Sequence, residues 1–235
     1  MGIRHGLLRA SMQLAVMTKY LDLVRDFVQQ HYTDTESFYQ EELAHGISEE
    51  EFEGLYGRYV DDSLDAGVFI PQFALSSFVV MWYAFIEQSL LDLCEELNLC
   101  ISVQPKDTTR LGTGIDRARR FLIEGRAYEI DRDHWQELTT VRRVRNILVH
   151  QGRQLTYQYW PLNEQKHIPY ELEDGRVVYV YLDEYTLDYM KRHNILGEVI
   201  GVLQIVPPFE YCEHLVRFAT QLLRNMYRSL PRVVT

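Results

Sequence analysis

Arg142, Asn146 and His150 recur every four residues in the stretch TTVRRVRNILVHQGR (139–153), so on a helix they share one face. Val144, Ile147, Leu148 and Val149 form its apolar side, and Arg145 comes about 140° around from His150, at the rim of the histidine face. His150 falls in the last turn, where free carbonyl ends attract positive charge. An imidazole able to carry a proton, an amide one turn below it and guanidiniums around it suit the cleavage of an RNA phosphodiester. The ribose 2′-OH is a built-in nucleophile. The protein need only take its proton, return one to the leaving 5′ oxygen and neutralise the phosphorane-like transition state, with His moving protons and Arg stabilising charge. One histidine per chain is short for two transfers. A symmetric dimer that joins two copies of the helix end supplies both and pools the arginines into one cleft.

That cleft must be local, because the 235-residue chain carries a formal net charge of −10. Such a balance excludes a protein that coats nucleic acid over its whole surface. Twenty of the 24 basic residues are Arg, the better bidentate ligand for phosphate. Arg142, Arg143 and Arg153 are therefore the expected RNA contacts around the catalytic pair, and Arg117, Arg119 and Arg120 could extend the track. Cys94, Cys100 and Cys212 form no paired motif, which fits a reducing cytosol. Arg9, Gln13 and Lys19 interrupt the first apolar segment, so no signal peptide is expected and the location is read as cytoplasmic.

The elements that must position these residues are mostly helical. Apolar positions between Leu8 and Val28 predict a helix over 6–31. Ser48 and Glu51 have capping-box spacing and open a second helix that ends before Gly67. Residues 66–86 carry no charge and are long enough to span a bilayer. Pro71, Gln72, Ser76 and Ser77 argue against that, and we read a loop followed by a central buried helix over 73–97, with no membrane association. A turn-rich connection (98–114) leads to a short helix, IDRARRFLIEG, and then to the helix of the opening motif, with Gly152 as its left-handed terminator. Alternation and the turn Glu173-Asp174-Gly175 predict a β-hairpin at about 167–183. Pro207 and Pro208 precede a closing helix. The expectation is an all-α, up-and-down bundle in a single domain, 1–235, with a small β-hairpin insertion before the C-terminal helix.

The hexapeptide RNILVH, Arg145 to His150, resembles the R-x4-H signature of the HEPN-family ribonucleases, with Asn directly after the Arg. With 20 Arg and 8 His, the bare spacing arises by chance about 0.7 times in such a chain, and the added Asn lowers this to about 0.02. The likeness covers residues 70–152 best. It implies a HEPN-like bundle and a metal-independent endoribonuclease of the bacterial toxin or antiphage type, working as a homodimer with a composite site. Arg145 and His150 would be catalytic, Asn146 supporting, and the product would end in a 2′,3′-cyclic phosphate. The family's earlier helix, here resembled by WYAFIEQSLLDLCEEL, often supplies an acidic residue, which would be Glu87. An antitoxin or an activating partner is a further implication. In one toxin branch a Tyr modified by a nucleotidyltransferase follows the His by two residues; Gly152 stands there, so that partner is not carried over.

Glu42-x-x-His45 and Asp131-x-x-His134 do not complete a di-metal set, and no H-E-x-x-H, P-loop or dinucleotide fingerprint is present. No metal and no cofactor are expected. The alternative reading is a non-catalytic HEPN-like module for dimerisation or partner binding. It expects Arg145 and His150 to be buried in internal hydrogen bonds, whereas a nuclease needs His150 exposed.

Overall fold

The computed structural model describes residues 3–46, 48–97, 114–124, 128–155, 168–180, 182–199 and 202–229. Its helices in chain order are α1 (Ile3–Ala44), α2 (Glu49–Leu64), α3 (Ile70–Glu96), α4 (Ile115–Glu124), α5 (Arg132–His150), α6 (Glu184–Arg192) and α7 (Phe209–Ser229). Two antiparallel hairpins, β1 (Ile168–Glu171) with β2 (Val177–Val180) and β3 (Leu196–Val199) with β4 (Val202–Ile205), flank α6. The mostly helical architecture with a β insertion before the last helix follows the sequence-based expectation. The second hairpin and α6 were not expected.

Helix α3 is the hub. It packs against α1, α4, α5 and α7, and Phe78, Val79, Trp82, Ile86, Leu90 and Leu93 are sealed from solvent. The Trp82 indole N–H donates to the Leu215 carbonyl of α7 at 2.8 Å, giving the buried ring a partner for its one polar group. A narrow stripe of α3 through Phe73, Ser77, Met81 and Gln88 stays exposed.

No loop separates α2 from α3. A π-helical turn, Asp65–Phe69, joins them, so the chain stays helical through Gly67 and into Pro71. Pro71 has no N–H to offer and its ring would press on the carbonyl four residues back; the wider turn relieves both problems without ending the helix. The continuous stretch Glu50–Glu96 is long and apolar enough to cross a membrane by length and composition, yet half of its most apolar window is buried inside the protein. That burial is what a core helix shows.

Helix α1 runs past the expected 6–31. Beyond it the Tyr39 hydroxyl donates to Asp62 of α2 at 2.7 Å, and Tyr39 and Tyr59 meet edge to face. The capping box forms as expected, with Ser48 and Glu51 satisfying each other's backbone N–H groups. Asp131 caps α5 by accepting from the His134 N–H at 3.0 Å. At the other end Gly152 and Arg153 both take positive φ, 56° and 72°, and the Arg153 N–H returns to the Ile147 carbonyl. Val144 and Ile147 are buried as expected, Leu148 only partly, and Val149 is exposed; Val149 turns to solvent because it lies two residues, about 200°, around from buried Ile147. The expected connection 98–113 and the start of the β insertion, 156–167, lie outside the described residues.

Replacing Trp82 by Phe removes both ring volume and the bond to Leu215. It should lower stability by about 1–3 kcal/mol, read as a fall in urea midpoint with an unchanged slope.

Candidate functional site

Helix α5 lies against α3 along one side and against α6 and β4 along another, so its polar residues divide between two environments. Arg142, Asn146 and His150 share a face as the spacing requires. Asn146 and His150 are exposed, and Arg142 and Arg145 are half-buried. Arg145 Nη1 donates to Asn146 Oδ1 at 3.0 Å, and its guanidinium lies 6.0 Å from the Tyr83 ring centroid on α3. The amide thus steers the neighbouring guanidinium rather than standing apart as a second ligand. His150 makes no hydrogen bond to any described residue.

The other arginines of the motif are tethered within the chain. Arg142 pairs with Asp116 in the first turn of α4 at 2.5 Å. Arg143 reaches Asp183, the cap of α6, at 2.6 Å and the Thr186 hydroxyl at 2.8 Å. Burial pushes the Asp183 carboxyl upward, but bonds from Thr186 and the charge of Arg143 outweigh it and hold the group below its usual range. Arg153 donates to neutral Gln72 at 3.1 Å and stacks 4.7 Å over Phe73. Among the described residues, Arg145 is the arginine of this stretch without an ion pair or a bond to another element.

Among the described residues Glu87 meets no arginine. Its half-buried carboxylate packs on the backbone of Gly114, where a Cβ would come within 2.8 Å of it, at the entry to α4. That close approach, with φ at +59°, explains the glycine there. Among the described residues the acid that meets Arg142 is Asp116 of α4. Tyr83 completes this layer. Burial above all, and Glu87 next, push its phenol up to about 12 against the pull of Arg142 and Arg145. Sequence reasoning missed Tyr83 because one more aromatic in an apolar helix carries no signal. Arg117 and Arg119 lie over Phe121 and Trp135, and Arg120 faces Glu124 at 3.6 Å, so that cluster is largely occupied within the bundle.

A second cluster forms on the other side of α5. Glu137 meets His214 of α7 at 2.5 Å, with the His193 ring tilted against His214 at 4.5 Å between centroids. Burial, and then the neighbouring His214, push the His193 imidazole below its ordinary range. These residues are far apart in sequence and match no spacing motif, so only the packing of α5, α6 and α7 could bring them together.

Comparison with known proteins finds no matching family model, no matching curated protein and no matching solved structure.

The raised pKa of Tyr83 has a definite sign. The fold favours the neutral phenol, so its stabilisation is complete below the unfolded value of 10.0 and is lost as pH rises from there toward about 12. The fall in urea midpoint between about pH 9.5 and 11.5 should be smaller in Tyr83→Phe than in the parent protein.

Proposed function

We propose that the chain is a metal-independent endoribonuclease, of the toxin or antiphage type, that works in the cytoplasm as a homodimer with a composite site. The observation that carries the reading lies at the end of α5: His150 is exposed and makes no hydrogen bond among the described residues, and Arg145, five residues before it, has no carboxylate partner there, while Arg142 and Arg143 are held by Asp116 and Asp183. A guanidinium already neutralised has little left to offer a phosphate, whereas Arg145 keeps its charge and is aimed by Asn146. The R-x4-H resemblance supplies the reaction class, and the exposure of His150 is what distinguishes it from a purely structural motif.

In this reading His150 of one copy removes the 2′-OH proton and the same histidine of the partner copy protonates the 5′ oxygen. Arg145 stabilises the charge that builds on the non-bridging oxygens. The products are a 2′,3′-cyclic phosphate and a 5′-hydroxyl. Arg142, Arg143 and Arg153 act mainly by holding α4, α6 and α3 against the helix end, so they shape the site more than they bind RNA. The exposed apolar stripe of α3 near Arg153, through Phe73 and Met81, favours association with a second copy. An antitoxin or activating partner would act by covering or completing this end of the bundle.

The test is cleavage of a labelled tRNA and total-RNA pool in excess EDTA. Wild type should cut; His150→Ala and Arg145→Ala, folded and still dimeric, should each lose at least about 100-fold in rate. Asp116→Asn should lose less, because it only releases Arg142. Cutting that persists in both Ala variants would sink the assignment. A wild type that cuts no RNA in this pool would favour the non-catalytic dimerisation module.

A further inference from the structure

Glu137 on α5, His193 just after α6 and His214 on α7 each turn one donor atom toward a common point, and the three atoms lie within 4.8 Å of one another. All three side chains are half-buried. A simple ion pair explains Glu137 with His214. It does not explain a second imidazole tilted against the first with its nitrogen near the same carboxylate, since two cationic rings at 4.5 Å repel. Two neutral imidazoles and a carboxylate converging on one point are a cation's donor set.

Two tyrosines close the cluster from the interior: the buried Tyr211 ring packs 5.5 Å from His193, and its hydroxyl interacts with that of Tyr189. The Tyr189 hydroxyl lies 3.5 Å from Glu137 Oε1, the same oxygen that meets His214.

We propose that Glu137, His193 and His214 form a binding site for one divalent transition-metal ion of the zinc class. Two nitrogens and one oxygen suit zinc, cobalt or ferrous iron; magnesium and calcium prefer oxygen throughout. With bonds of about 2.0–2.1 Å in tetrahedral geometry, donor atoms sit about 3.4 Å apart. The close His214–Glu137 pair therefore opens and the widest pair closes as the ion enters, by about 1 Å each, within the reach of half-exposed side chains. The fourth position remains for water. Such an ion ties α6 and α7 to the first half of α5, away from His150. It acts as a clamp on the helix that carries the motif, and the inference does not rest on the ribonuclease reading.

The test uses full-length protein stripped with a chelator, then freed of it. Zn²⁺ is titrated by calorimetry and Co²⁺ by visible absorption. One equivalent of Zn²⁺ per chain, a ligand-field spectrum for Co²⁺ and a Zn²⁺-dependent rise in Tm are expected. His193→Ala and His214→Gln should each weaken Zn²⁺ binding by about 100-fold or more. The Gln substitution keeps a hydrogen bond to Glu137 while removing the imidazole, so it separates loss of a ligand from loss of the ion pair. His150→Ala should leave the isotherm unchanged; if it abolishes binding, the ion sits elsewhere. Absence of saturable Zn²⁺ binding in the wild type overturns the site, as does binding that survives in the His193→Ala, His214→Gln double variant.

Discussion

Between Asp65 and Glu87 the chain offers water no charge, and this one constraint organises the bundle. A helix so apolar has to be covered along most of its circumference, and α1, α4, α5 and α7 are the pieces that cover it. Each of them needs one apolar stripe and no more. Helix α1 spends Ala10, Leu14, Met17 and Leu21 on the contact, and α5 spends Leu138, Val141, Val144 and Ile147. The remaining faces of α5 are thereby freed for polar residues, which is where both candidate sites lie.

The charge pattern follows from the same geometry. Arg142 and Arg143 find acids and Arg153 the neutral Gln72, so three arginines of α5 and its terminator are used as ties to α4, α6 and α3. These ties are partly exposed, so each contributes modestly to stability. Their larger effect is positional, since they fix the rotation of α5 and with it the direction in which Arg145 and His150 face. Tyr83, whose ring stands by Arg145 and whose phenol is held neutral by burial, gives the guanidinium an aromatic neighbour in place of a competing carboxylate.

The two clusters of α5 are chemically unlike. At its C-terminal end a guanidinium and an imidazole face solvent, a set for an anion. In its first half a carboxylate meets two imidazoles under a cover of Tyr189 and Tyr211, a set for a cation. The separation along the helix keeps the two fields from cancelling.

What was legible in the sequence was local. The period of the helices, the Ser48–Glu51 box, the Gly152 terminator, the Asp174-Gly175 turn and the shared face of Arg142, Asn146 and His150 all depend on residues a few positions apart. Short-range geometry alone decides them. The continuity of α2 into α3 was misread because Pro71 normally stops a helix, and only the packed π-turn shows how it is tolerated. Helix α6 and the second hairpin were missed because Tyr-rich strands and a nine-residue helix share composition. Tertiary structure decided which arginines are neutralised, that Asp116 meets Arg142, and that Glu137, His193 and His214 come together. Those outcomes depend on the rotation of helices against one another. That rotation is set by interdigitation of the whole core, and no short stretch of sequence contains it.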